Sequence, residues 1–212
     1  MTQAPEAWAG EAFKATLETV LHSRRLLLEP LNPAHADELL APLADPRLYT
    51  HVPQDPPVSL EALRARFVLL AARRSPAGDQ LWLNWVLRDQ HDGQARGRVQ
   101  ATVSPEARAW IAYEVFPEHW GRGFASEGCR RMMEWLIDTL GVRQFAAEVD
   151  TLNDASLRLL ERLGFQRVSL HEAADEFKGR VSDEWTLRLD AAAFVRAGDV
   201  QRAPGGAAAG PS

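Results

Sequence analysis

A single cysteine, Cys129, stands in the 212 residues, so the chain can form neither an internal disulfide nor a cysteine metal cluster. It falls in an apolar-periodic stretch, where a small buried side chain is expected and a catalytic thiol is the alternative. Lysine is nearly absent as well. Lys14 and Lys178 are the only two, and arginine supplies the remaining basic side chains, which reads as a genome-composition bias. The net charge of -5 and pI of about 5.7 argue against a general nucleic-acid surface and against attraction to anionic membrane. No apolar run approaches the roughly 18 residues of a membrane-spanning helix. The first residues lack the basic-then-apolar pattern of a secretory signal, so the expected location is the cytoplasm. No internal repeat is visible. His51, His119 and His171 are scattered, without metal-ligand spacing, and no metal is expected.

What is present is ordinary globular composition, 46% hydrophobic and 25% charged, enough for one well-buried core. Residues 1–22 carry Trp8, Phe13, Leu17 and Val20-Leu21, an apolar spacing that predicts a helical extension. It packs either on its own domain or on a second copy in a homodimer. Residues 23–190 are expected to form the domain. Residues 191–212 end in Ala-Pro-Gly-Gly-Ala-Ala-Ala-Gly-Pro-Ser, a composition that cannot build a core and predicts disorder.

Within the domain the elements alternate. Strands are predicted at 25–31, 81–88, 97–104, 109–116, 144–149, 165–170 and 182–189. Helices are predicted at 34–43, from a Ser59 cap to 74, at 124–140 and at 153–163. Asp92-Gly93 predicts a hairpin turn, and Gly141 and Gly164 follow helix ends. The order β-α-α-β-β-β-α-β-α-β-β implies one mixed α/β sheet with helices on both faces. Trp82, Trp85 and Trp110 fall on strands and are expected in the core. Tyr49, His51 and Trp82 are alternative pocket residues.

The most informative stretch is Tyr113-Glu-Val-Phe-Pro-Glu-His-Trp-Gly-Arg-Gly-Phe-Ala-Ser-Glu-Gly128. A strand runs into a glycine loop and then a helix, and the unpaired N–H groups at the helix start suit a phosphate. The dinucleotide fingerprint is excluded, because Ser126 stands where its third glycine belongs. The P-loop is excluded as well, because Cys129-Arg130 replace its lysine and hydroxyl residue. A plain turn with a helix cap is the remaining alternative for the loop alone.

About 30 residues later comes Asn153-Asp-Ala-Ser-Leu-Arg-Leu-Leu-Glu-Arg-Leu-Gly-Phe165. The two segments together resemble the GNAT acetyltransferase superfamily over roughly residues 23 to 190. Trp120-Gly-Arg-Gly-Phe-Ala125 matches that family's pyrophosphate loop in its glycine, alanine and spacing, with Trp120 in place of the usual Gln or Arg. A tryptophan there, and the opening Ser23-Arg-Arg-Leu-Leu-Leu-Glu-Pro-Leu31, are similar to the Rim-type branch, which acetylates ribosomal-protein N-termini. The resemblance implies a mostly antiparallel central sheet splayed at a bulge in the strand before the loop. It implies acetyl-CoA as cofactor, with the pantetheine arm bonded to the backbone of Val115 and Phe116. Trp120, Gly121, Gly123, Phe124 and Ala125 would hold the pyrophosphate, with Arg122 and Ser126 as helpers. Asn153 would lie near the arm, although it is also a good helix cap.

The implied chemistry is direct acyl transfer to a primary amine, a peptide N-terminus or a small amine. The Val115 backbone N–H would meet the developing oxyanion. The tyrosine that many family members place near the sulfur is replaced by Leu160. Ser156 is the substitute the resemblance implies, with a hydroxyl satisfied in its own helical turn as the alternative. Glu114 is the candidate base, with a solvent-facing strand carboxylate as the alternative. Asp175, Glu176 and Asp183 are further acidic residues by the last hairpin. The rival function is a non-catalytic acyl-CoA-binding sensor or assembly module.

Overall fold

The computed structural model describes residues 8–196, so the first seven residues and most of the C-terminal tail lie outside the described residues. Eight strands form one sheet in the order β1-β2-β3-β4-β5-β6-β8-β7. They are β1 (Leu21–His22), β2 (Leu26–Pro30), β3 (Leu81–Asp89), β4 (Ala95–Val103), β5 (Arg108–Val115), β6 (Gln144–Asp150), β7 (Gln166–Phe177) and β8 (Arg180–Asp190). The helices are α1 (Glu11–Leu17), α2 (Ala36–Leu43), α3 (Leu60–Ala71), α4 (Phe124–Leu140) and α5 (Asp154–Leu163). Every strand pair is antiparallel except β5 and β6.

Side-chain alternation along β3 explains the layers. Leu81, Leu83, Trp85 and Leu87 enter the larger core, shared with Met132, Met133 and Leu136 of α4 and Leu157 and Leu160 of α5. Val86 points the other way, into a second core with Leu39 of α2 and Phe67 of α3. A strand covered on both faces reads as a near-continuous apolar run, as Leu-Trp-Leu-Asn-Trp-Val-Leu does. Trp85 meets Trp135 of α4 edge-on at 5.7 Å between ring centroids. Trp110 departs from the expected burial, with 38% of its surface exposed. Cys129 is fully buried, and burial pushes its thiol well above the ordinary range. No helix among the described residues is long and apolar enough to cross a membrane.

At the N-terminal end, Trp8 and Leu17 are buried in the larger core and Phe13 packs against it. The Arg73 guanidinium pairs with Glu18 at 3.0 Å, and Arg74 donates to the Trp8 carbonyl. β1 was not expected from the sequence. Two residues are too few to show an alternating pattern.

The last hairpin is longer than its sequence suggests. β7 is mostly exposed and shifts register twice against β8. Bulges and an exposed face erase the period-2 signal from which strands are read.

The sheet opens between β5 and β6. The two pair in parallel only from Arg108 with Gln144 to Trp110 with Ala146. β5 then runs on to Val115 beside β4, and β6 runs on to Asp150 beside β8. The splay is therefore present. The bulge is not on the expected strand, because β5 keeps an unbroken register with β4 from Ala109 to Val115. The extra residue is in β4: Gly97 faces Leu87 and Ala95 faces Arg88, which leaves Arg96 without an opposite number on β3. Arg96 is held there by Asp89 at 3.0 Å and by Asp92.

Candidate active site

The splay opens into a cleft of about 1580 Å³, lined by β5 from Ile111 to Val115, β6 from Ala147 to Asp150, the start of α4 and the start of α5. Strand parity decides which backbone groups face it. The Ser104 N–H donates to the Arg108 carbonyl, and the Phe116 N–H donates to the Arg96 carbonyl, both at 2.9 Å. Even-numbered residues of β5 therefore bond β4, and odd-numbered residues turn N–H and C=O toward the gap. Val115 is the last of these, and its carbonyl accepts the Trp120 indole N–H at 2.6 Å.

Phe116 does not have the backbone role expected for it. Its N–H is committed to Arg96, its carbonyl accepts the His119 N–H at 2.8 Å, and its ring lies in the second core. The odd-numbered residue before Val115 that lines the gap is Tyr113.

The glycine loop takes the expected form. Gly121 and Gly123 have φ of 70° and 79°, a left-handed backbone that side-chain-bearing residues rarely adopt. A Cβ on Gly121 would meet nothing within 4 Å, so conformation, not space, requires glycine there. No side chain caps α4, and its first backbone bond runs from the Glu127 N–H to the Gly123 carbonyl at 3.1 Å. The amides of Phe124, Ala125 and Ser126 are left for an anion. Trp120, Gly121, Gly123, Phe124, Ala125 and Ser126 all line the cleft.

Arg122 does not. It borders a separate small groove with Arg24 and Arg25, its guanidinium 5.1 Å from the Phe124 ring. A left-handed residue on each side turns its side chain away from the cleft.

Glu127 would oppose an anion at this helix start, and it is tied aside. Its carboxylate accepts from the Arg25 N–H at 2.6 Å, Arg25 Nε at 2.7 Å and Ser23 Oγ at 2.8 Å. Burial raises the Glu127 carboxyl, but these hydrogen bonds outweigh it and hold the group below its ordinary value.

At α5, Asn153 Oδ1 accepts the Ser156 N–H at 3.1 Å, so Asn153 caps this helix. Both residues line the cleft. The Tyr113 hydroxyl donates to the Ser156 carbonyl at 3.3 Å, and burial pushes that phenol upward. Leu160 is fully buried. Glu114 lines the cleft on β5 and pairs with Arg98, its register partner on β4.

The far half of the cleft is acidic. Asp150 is fully buried and accepts from Ser182 Oγ and the Leu152 N–H, each at 2.7 Å, and from Arg180. Its burial acts upward, and the donors outweigh it, leaving the carboxyl below its ordinary value. Glu184 faces Asp150 across the β6–β8 register. Burial, together with Glu148, Asp175 and Asp150, holds the Glu184 carboxyl above its ordinary value. Glu148, Asp175, Tyr49 and His51 also line this half. Glu176 and Asp183 do not, since Asp183 accepts the Ala173 N–H inside the hairpin. Trp82 also lies elsewhere, donating to Gln80 at 3.3 Å.

Arg98, Asp150 and Glu184 carried no usable signal in the sequence. Each is a charged residue in a strand, and only its cross-strand neighbour shows what it does.

A model of the acetyltransferase (GNAT) domain matches residues 25–166. An uncharacterized N-acetyltransferase of Bacillus subtilis, YoaA, is 27% identical over 150 residues, covering 70% of this chain and 83% of the relative. Among solved structures, the ribosomal-protein-S5-alanine acetyltransferase from Vibrio fischeri superposes with a TM-score of 0.72 at 14% identity, covering 84% of this chain and 99% of that one. RimL, a ribosomal alpha-N-protein acetyltransferase in complex with coenzyme A, gives a TM-score of 0.71 at 18% identity, covering 81% and 98%.

Proposed function

The chain belongs to the GNAT acetyltransferase family, and on that premise we propose that it acetylates a cationic primary amine admitted through the acidic half of the cleft. Its cofactor is acetyl-CoA, which supplies an acetyl group activated as a thioester. The observation that carries the acceptor class is the set Glu148, Asp150, Asp175 and Glu184 along one wall. A wall of like charge favours an ammonium and disfavours an anionic acceptor. The Rim-type resemblance favours a peptide N-terminus over a small amine.

The chain's own groups divide the work. The α4 amides from Phe124 to Ser126 hold the pyrophosphate. The Val115 N–H turns toward the gap and suits the thioester oxygen as negative charge grows there, a contact worth about 3 kcal/mol in comparable oxyanion sites. The Ser156 hydroxyl is the hydrogen-bond donor for the departing sulfur, standing in for a tyrosine absent at Leu160. Glu114, paired to Arg98, orients the incoming ammonium by charge.

The test is coenzyme A release from acetyl-CoA over a panel of N-terminal peptides, polyamines and aminoglycosides. Turnover with cationic amines and none with anionic ones is expected. Tight acetyl-CoA binding without turnover on any amine would instead favour a sensor or assembly module.

A further inference from the structure

His51 and Asp150 come from opposite walls of the cleft and meet at its acidic end. His51 Nδ1 lies 3.8 Å from Asp150 Oδ1. That nitrogen is buried and has no hydrogen-bond partner, while the His51 side chain as a whole keeps 32% of its surface exposed and lines the cleft. A buried ring nitrogen without a partner costs free energy, and a shift of less than 1 Å would bring it to hydrogen-bond distance of the one carboxylate beside it.

We propose that His51 is the proton acceptor of the transfer reaction, with Asp150 as the positioning residue that fixes its tautomer. The proposal rests on the N-acetyltransferase reading above. Asp150 suits the task because it cannot turn away. Oδ1 already accepts from the Leu152 N–H, and Oδ2 from Ser182 and Arg180. Oδ1 has a second lone pair for the Nδ1–H of His51. That bond leaves the Nε2 lone pair as the ring's proton-accepting site, and a buried carboxylate stabilises the imidazolium that forms.

The segment carrying His51 is clamped from both sides. Before it, the Tyr49 hydroxyl donates to the Leu43 carbonyl at 2.8 Å. After it, Lys178 at the tip of the β7–β8 hairpin donates to the carbonyls of Val52 and Gln54 at 2.8 and 2.9 Å. The clamp brings a loop between two helices against the end of β6.

The proton balance closes without any further reagent. The acceptor enters as an ammonium and gives one proton to His51 Nε2. The neutral amine forms the C–N bond as the C–S bond breaks. The second amine proton goes to the sulfur, and the imidazolium returns its proton to water. The charged groups at this end of the cleft are Asp150 and Glu148 on β6, Glu184 on β8 and Asp175 on β7, with Arg180 paired to Asp150 and Lys178 to Asp55 at 3.9 Å.

Two measurements test the pair in the full chain. Long-range proton–nitrogen NMR on the imidazoles should show His51 as the Nδ1–H tautomer in the wild type, and Asp150→Asn should abolish that preference. His51→Gln should lower kcat/KM by about a hundredfold, within the range for a lost general base, and should remove the acid limb of its pH profile. Acetyl-CoA affinity should stay unchanged, which would establish that the variant is folded. An Nε2–H tautomer, or an active enzyme whose acid limb survives His51→Gln, overturns the proposal. A wild type inactive on every amine overturns the acetyltransferase reading instead, and the proton-acceptor role with it.

Discussion

The indole nitrogen of Trp120 stands 2.6 Å from the carbonyl oxygen of Val115, joining the glycine loop to the last residue of β5. The bond occupies one of the two backbone groups that Val115 turns toward the gap and leaves its N–H as the other. The tryptophan that departs from the usual loop pattern therefore has a local task, which is to hold the loop against the strand end. Trp120→Phe keeps the ring and removes the donor. We expect acetyl-CoA affinity to fall about fivefold, equivalent to one neutral hydrogen bond of about 1 kcal/mol, with a smaller change in kcat. Calorimetric titration with coenzyme A and steady-state kinetics on the same variant check both parts.

Gly97 lies opposite Val115 where β4 bulges. A Cβ at this position would come within 2.1 Å of the Glu114 carbonyl oxygen and 2.7 Å of the Val115 Cα. These are backbone atoms and cannot rotate away. Gly97→Ala should destabilise the fold by about 1–3 kcal/mol, the usual range for overpacking, and should displace the end of β5 that carries Glu114 and Val115. Denaturant unfolding measures the first effect. A drop in kcat beyond what lost folded protein explains measures the second.

Ser156 is half-buried at the start of α5, its N–H already bound by Asn153. Ser156→Ala leaves that cap in place and removes only the hydroxyl. Turnover should fall at least tenfold, since a hydrogen bond to a charged group is worth about 1.5–3 kcal/mol, and acetyl-CoA binding should not change. The loss should shrink with a thioester whose thiol is more acidic and needs less help in leaving. An equal loss with both donors would remove the role assigned to the hydroxyl.

Glu184 has a pKa above its ordinary value of 4.5 in the folded chain, because of burial and then of Glu148, Asp175 and Asp150. The folded state therefore holds this proton more tightly than the unfolded state does. Its contribution to stability is fully present below about pH 4.5 and is lost as pH rises through the raised folded value. Glu184→Gln should remove this dependence and raise Tm at neutral pH relative to the wild type. Thermal melts of both proteins from acid to neutral pH provide the comparison. A cationic acceptor should have a similar effect on the wild type, offsetting the crowded negative charge.

Local order was legible in the residues themselves. α4 spans Phe124 to Leu140 as its apolar spacing indicates, and Gly121 and Gly123 have the left-handed backbone that their position before a helix suggests. Ser59 and Asn153 cap the helices they precede. The β7–β8 hairpin was less legible, because an exposed, bulged strand carries no regular pattern. Phe116 shows the limit of reasoning from position alone. It is one residue beyond Val115, and that single step reverses the direction of its backbone groups.

By itself, then, the sequence determined the order of the longer elements and the anion-ready loop, because both follow from side-chain periodicity and from backbone conformations that neighbouring residues impose. Only the tertiary structure decided which charges meet. Arg25 reaches Glu127 across 102 positions, Lys178 reaches Val52 across 126, and His51 faces Asp150 from another wall of the cleft. Coulomb attraction and hydrogen bonding act over a few ångströms of space, and distance along the chain does not reveal them.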